Sequence, residues 1–453
     1  MKIRLNLDTL AGGVLALLAA LVGLVILFGE MAGIRVSTNL PKDGVISPFQ
    51  VIQLNFSEPV DFPLVSQVVS MEPVLEGYLE WVDSRTVQFV PIKPFELNTV
   101  YHLTISPEIL NIDGRELKKA HSWEFTVRDP QFAYLVTDAT QSSIWAMDLN
   151  GNPPRRLTDE SVKIISFDTA RSGEFIVFTA GNTQGGVDLW RVSRAGGDAS
   201  ILLDCKFDRC TTPAISPNGL RVAYSREAAG PTPDLPFGSP RIWVLDIKNG
   251  QNSPLYEDQQ ILGYNPTWSP DSNRLASFDG IADQINVIDL QENKQYGFSS
   301  NTGGPITWSP DSNKILFTNI DQTESGLRTQ VRLVDISLNE SQILIGINDE
   351  RDYSYYSLTW SADKEKAILG FRAGEDKPSQ ILWLFDPALL EGVIIADQPE
   401  YTYNSPQWDP WGGALIFQQF KLKGAFNPEI GLWQPGFDEP LILTQGLMPH
   451  WLP

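Results

Sequence analysis

The octapeptide Trp268-Ser269-Pro270-Asp271-Ser272-Asn273-Arg274-Leu275 returns 40 residues later as Trp308-Ser309-Pro310-Asp311-Ser312-Asn313-Lys314-Ile315. Looser copies are Ile215-Ser216-Pro217-Asn218-Gly219, Trp360-Ser361-Ala362-Asp363-Lys364 and Trp408-Asp409-Pro410-Trp411-Gly412, with Phe167-Asp168-Thr169-Ala170 weaker still. Each is followed by an alternating apolar strand and then by one of the type Ile242-Trp243-Val244-Leu245-Asp246. A repeat of 40 to 53 residues holds about four short strands, too few to bury their own faces, so successive copies must stack on one another. The 35 Gly, 32 Pro and 13 Trp of this 453-residue chain fit many turns and aromatic strands.

This spacing is that of β-propeller blades. In the motif, Trp ends the innermost strand and packs between blades, Pro fixes φ at the turn, and Asp, Asn or Gly supply turn chemistry. Its Ser and Asp are therefore read as structural. The repeats resemble the TolB-type, WD-repeat-like propeller family over residues 131–453. Second strands begin near Phe132, Phe175, Arg221, Arg274, Lys314, Lys366 and Ala414, which favours seven blades; six is the family's usual number and stays open. The first blade lacks an innermost strand upstream, and Met448-Pro449-His450-Trp451-Leu452-Pro453 matches Asn265-Pro266-Thr267-Trp268-Ser269-Pro270. The C-terminal strand should thus close the ring in blade 1, removing exposed sheet edges.

Leu10 to Phe28 carries no charge over 19 residues, which at ~1.5 Å each matches the ~30 Å hydrocarbon core of a bilayer. The expectation is a transmembrane helix at 10–28. Lys2 and Arg4 keep residues 1–9 cytoplasmic and send the bulk of the chain to the extracytoplasmic side, giving a single-pass membrane protein. A cleaved signal peptide is the rival, against which Glu30 stands at −3 if Ala32 is at −1.

Residues 31–129 alternate apolar and polar residues between Pro and Gly turns, as in Val51-Ile52-Gln53-Leu54-Asn55-Phe56, the size and pattern of an Ig-like β-sandwich. Leu54-Asn55-Phe56-Ser57-Glu58-Pro59-Val60-Asp61, Leu97-Asn98-Thr99-Val100-Tyr101 and Trp123-Glu124-Phe125-Thr126 resemble the bacterial SbsA-type Ig-like module. That resemblance implies a spacer or adhesion role without catalytic residues. Glu58 and Asp61 read as turn and strand-edge residues. The fold class is all-β: an Ig-like sandwich, then a propeller, preceded by one helix.

With 34 Lys plus Arg against 55 Asp plus Glu, the net charge is −21, which argues against a nucleic-acid partner. Three dispersed His and two Cys supply neither a metal site nor a cofactor site, so none is expected. Cys205 and Cys210 are expected to form a local disulfide. No Gly-x-Ser-x-Gly elbow or phosphate-binding loop occurs, so the chain is read as a non-enzyme. A propeller hydrolase or lyase using carboxylates among Asp349, Asp352 and Glu400, with His450 near the channel, is the lesser alternative.

The longer insertions, Arg226 to Arg241, Asn319 to Gln330, Arg372 to Gln380 and Gln419 to Glu429, and the loops entering each blade share one face. On it Tyr264, Asp349, Asp352, Tyr353, Tyr355, Tyr356, Glu400, Tyr401 and Tyr403 form a candidate ligand face. The same tyrosines could instead pack loops onto blades. The expected function is extracytoplasmic binding or scaffolding with a protein, peptide or glycan partner in the cell envelope; a purely structural envelope component is the alternative.

Overall fold

The computed structural model describes all residues except 1–6, 30–32, 108–115, 139–140, 160–162, 233, 324–325, 347–352, 362–364, 375–376 and 425–426. The chain divides into two units, Met1–Val127 and Arg128–Pro453.

The first unit opens with helix α1, Leu7–Gly29. Its side chains are described from Gly12 to Gly23, where Val14, Leu15, Leu17, Leu18, Leu21 and Val22 are all exposed. Among the described residues no helix is long and apolar enough to cross a membrane. Two four-stranded sheets follow. One orders Val36–Thr38, Ile52–Phe56, Thr86–Pro91 and Gly77–Asp83; the other Val45–Ile46, His121–Val127, Tyr101–Ile105 and Val69–Glu72. Alternation buries Ile52, Leu54 and Phe56 while Asn55 faces out. Phe95 packs edge-on against Tyr101 and Phe125, with centroids 5.0 and 5.4 Å away, to close the core. Strands and turns do not account for all of residues 31–129, and Asp61 is not a strand-edge residue. A short helix α2, Phe62–Val68, buries Val65 and Val68, and Asp61 is its N-cap residue.

In the second unit the described residues build seven four-stranded blades; five are separate sheets, and blades 2 and 3 are joined into one eight-stranded sheet where Val187 pairs with Arg209. The innermost strands of blades 2 to 7 are Ile164–Thr169, Arg209–Ile215, Tyr264–Trp268, Ile306–Trp308, Tyr353–Trp360 and Tyr401–Trp408; Leu447–Leu452 is that of blade 1. Each touches the next, and Leu447–Leu452 touches Ile164–Thr169, so the ring is closed. In blade 1 the C-terminal strand pairs antiparallel with Gln131–Thr137, setting Trp451 opposite Phe132.

The repeat motif explains this regularity. Trp268 Nε1 donates to the Ala214 carbonyl at 3.0 Å, and Trp308 Nε1 to that of Thr267 at 3.1 Å, each tying one blade to the preceding one. Ser269 Oγ accepts from Arg274 N at 2.9 Å and donates to the Asp271 carboxylate, closing its turn. Ser272 sits at φ 64° and its hydroxyl accepts from Asn218 N of blade 3; Ser312 does the same for Asp271 N. These Ser and Asp residues are consumed by turn geometry. Most inner strands also carry a bulge, and at Thr212, Asn265, Ser405 and Met448 a positive φ falls just before a proline.

One expected loop is a sheet extension. Residues 319–330 belong largely to a long hairpin, Lys314–Thr323 with Gly326–Asp335, in which Asn319 pairs with Gln330 and Ile320 with Thr329.

Candidate functional site

Blade order puts the second-to-third-strand loops and the blade-entry loops on one face. Between blades 6 and 7 they enclose a cleft of about 840 Å³. Its walls come from Ala373, which ends the second strand of blade 6, and Lys377, Pro378 and Ser379 beyond it, from Asp397, Pro399 and Glu400 entering blade 7, and from Lys421, Leu422 and Lys423 at the end of the second strand of blade 7. Ala373, Pro378, Ile381, Pro399 and Leu422 supply apolar surface; Lys377, Lys421 and Lys423 bring ammonium groups, and Asp397 and Glu400 bring carboxylates.

The walls are fastened to one another. Leu422 N donates to the Glu400 carbonyl at 2.9 Å, Gln380 N to Thr402 Oγ1 at 3.0 Å, and Ser379 Oγ to the Tyr401 carbonyl. Lys421 lies 3.8 Å from Glu429 and 5.8 Å above the Tyr401 ring. The cleft therefore offers charges of both signs around an apolar body, on a support that three chain segments hold in place. Such a surface can accept a ligand with apolar groups and both kinds of charge.

The structure separates the nine candidate ligand residues. Glu400 is exposed in the cleft, and Tyr401 is half-buried beneath Lys421. Tyr353 packs on Phe371, with ring centroids 4.7 Å apart, and Tyr356 lies under Arg372 at 5.4 Å. Tyr264 meets Phe278 edge-on at 5.3 Å, and partial burial raises its phenol pKa. Two candidates need correcting. Tyr355 is 4% exposed and Tyr403 fully buried, both inside inter-blade cores. Strand parity is the reason: Tyr355 pairs with Phe371 and Tyr403 with Gln419, and both rings point between sheets rather than to solvent. Burial raises the Tyr403 phenol strongly, and its hydroxyl bonds to the Gln398 amide oxygen. Asp349 and Asp352 lie outside the described residues.

Lys377, Lys421 and Lys423 fall within the insertions Arg372 to Gln380 and Gln419 to Glu429, whereas the nine expected face residues all come from blade-entry loops, so the expected face leaves these lysines out. His450 stands 3.5 Å from Asp168, whose second oxygen accepts from Ile215 N at 2.7 Å, so this pair links blades 1, 2 and 3. Cys205, in the loop entering blade 3, and Cys210, in its innermost strand, are buried and disulfide-bonded. Among the described residues no group of three or more His, Cys, Asp or Glu side chains could hold a metal.

Strand pairing and cleft together define a closed seven-bladed propeller, carried by a chain with a separate two-sheet unit. Residues 32–127 match the family model described as bacterial Ig-like domain. No curated protein matches the chain. Among solved structures, TolB from Acinetobacter baumannii is 17% identical over 72% of this chain and 83% of its own, with a TM-score of 0.42. The β-propeller domain of the Trilobed protease from Pyrococcus furiosus is 14% identical over 63% and 86%, with a TM-score of 0.47. An oligogalacturonate lyase in complex with manganese is 15% identical over 63% and 74%, with a TM-score of 0.42. The chain thus carries a bacterial Ig-like domain and has TolB-type propellers among its structural neighbours.

Proposed function

We propose that this chain is a membrane-anchored extracytoplasmic binding or scaffold protein whose propeller recognises a protein, peptide or glycan at the cleft between blades 6 and 7. The observation that carries the reading is the cleft itself, with Lys377 and Lys423 in no ion pair among the described residues and Asp397 and Glu400 exposed beside them. Its role is recognition and not turnover. The anchor is α1, whose described leucines and valines are exposed around the helix, a pattern that suits lipid better than water. The Ig-like unit serves as spacer.

The test is cross-linking and co-purification from membranes with the full chain and with a Lys377→Glu, Lys423→Glu double variant. Loss of the captured partner from the variant supports the cleft. An identical set of partners overturns it, and recovery of the chain from the soluble fraction overturns the anchor.

A further inference from the structure

The outermost strands of the blades differ in a way the repeat does not require. Blade 1 ends on Arg155–Arg156, blade 3 on a strand closing with Pro254, and blade 4 on one opening with Lys294. Charged residues and proline are the usual means by which a sheet edge refuses another strand. Three blades lack these guards: blade 2 ends on Ser200–Leu203, blade 7 on Leu441–Gln445 and blade 6 on Gly392–Ala396, with the sequence Gly-Val-Ile-Ile-Ala. Val393 is 58% exposed and Ile394 52%.

Two cavities open at this edge. One, of about 470 Å³, is lined by Trp383, Ile394, Tyr353 and Phe371 together with Glu391 and Gly392. The other, of about 390 Å³, is lined by Leu384 and Val393, again with Glu391 and Gly392. Trp383 pairs with Ile394 and Leu384 with Val393, so the two cavities lie on opposite faces of the sheet. A strand added to Gly392–Ala396 would direct successive side chains alternately into them, while its backbone meets the edge.

We infer that the outer strand of blade 6 is a β-augmentation site for an extended peptide with an apolar centre and basic flanks. The charges on the edge select this occupant. Glu391 precedes the strand and Asp397 follows it, and both are exposed. Antiparallel pairing of two copies about Ile394 would set Glu391 of each against Asp397 of the other, placing like charges together at both ends. A second copy is therefore disfavoured and a basic-flanked strand favoured. Lys366, in the smaller cavity, is outnumbered there by Asp386 and Glu391. The edge borders the cleft and shares Asp397 with it, but Val393, Ile394 and the two cavities beside them lie outside the cleft lining.

The test uses the detergent-solubilised full chain and a fluorescein-labelled octapeptide with a Val-Thr-Ile-Val centre and two lysines at each end, read by fluorescence anisotropy. Saturable binding is expected, weakened about tenfold or more by Ile394→Lys, by replacing the peptide's lysines with glutamates, and by N-methylating alternate peptide amides. N-methylation leaves the protein untouched, so it remains decisive if Ile394→Lys disturbs folding. Equal affinity for the N-methylated peptide overturns the proposal, as does a dimer that Ile394→Lys dissociates without any peptide binding. The Lys377→Glu, Lys423→Glu variant, which adds negative charge on the side of Asp397, should bind the peptide at least as tightly; loss of binding there would move the peptide to the cleft and overturn the edge assignment.

Discussion

The Trp451 indole Nε1 donates to the Gln407 carbonyl at 3.0 Å, so the strand that completes blade 1 is also fastened to blade 7. On the other side Thr169 Oγ1 donates to the Trp451 carbonyl at 2.7 Å. Arg128 and Arg194 each reach the Pro453 carbonyl oxygen at 2.8 Å. Desolvation by burial, with Arg128 close by, lowers Arg194 to about 10, still charged at neutral pH. Deleting Leu447 to Pro453 should strongly destabilise the propeller, because Trp451 and Leu452 alone represent burial worth on the order of 5 kcal/mol. An unchanged melting temperature would sink the idea that this strand closes the ring.

The inter-blade tryptophans allow a finer comparison. Trp308 Nε1 has a carbonyl partner, whereas Trp360 Nε1 is buried without one among the described residues. Both changes to phenylalanine remove the same atoms, but only Trp308→Phe removes a hydrogen bond. Chemical denaturation should show Trp308→Phe costing about 1 kcal/mol more than Trp360→Phe.

The Cys205–Cys210 bridge closes a short loop at the entrance to blade 3, where Asp188 Oδ1 accepts from Cys205 N at 2.9 Å. By loop-closure entropy, replacing both cysteines with alanine should lower stability by about 2 kcal/mol. Hydrogen exchange should rise first at residues 204–209, with little change in blades 5 to 7; uniform loosening of the ring would contradict a local role.

Several turn aspartates have depressed pKa values. Burial opposes ionisation of Asp311, but the Ser309 hydroxyl and Asn313 outweigh it and hold the carboxyl below 3.8. At Asp335 the Ser337 hydroxyl acts in the same direction. Because the folded pKa values lie below the unfolded one, their stabilisation is complete above about pH 5 and is lost as pH falls through the folded values. Melting temperature should therefore fall between about pH 5 and pH 3, and Asp311→Asn should flatten part of that fall. A pH-independent melting temperature over this range would remove the turn role of these acids.

The ring was legible because its closing strand repeats the Asn-Pro-Thr-Trp pattern as Met448-Pro449-His450-Trp451. The inward turn of Tyr355 and Tyr403 was not, because each lies beside a bulge: Tyr355 pairs with Phe371, but the next paired residue is Leu358. A bulge inserts a residue and resets which side chains face inward, so alternation read across it loses its phase. Helix α2 escaped notice because seven residues offer only Val65 and Val68 as a buried pair, too little for a helical period. The lysines of the cleft, two in loops and Lys421 at a strand end, are brought together by blade packing, which no local pattern records.

The pairing of Gln131–Thr137 with Leu447–Leu452 also fixes an order of events. At ribosomal rates of ~5–20 residues per second, roughly 15 to 60 seconds separate synthesis of the two strands. Throughout that interval Phe132 and Tyr134, buried in the finished protein beside Trp451, lack this cover. The strand made first in the propeller, paired early on one side with Ser142–Asp148, is thus the last to gain a partner on its other side, and that open edge is where a chaperone or a stray strand would meet the nascent chain.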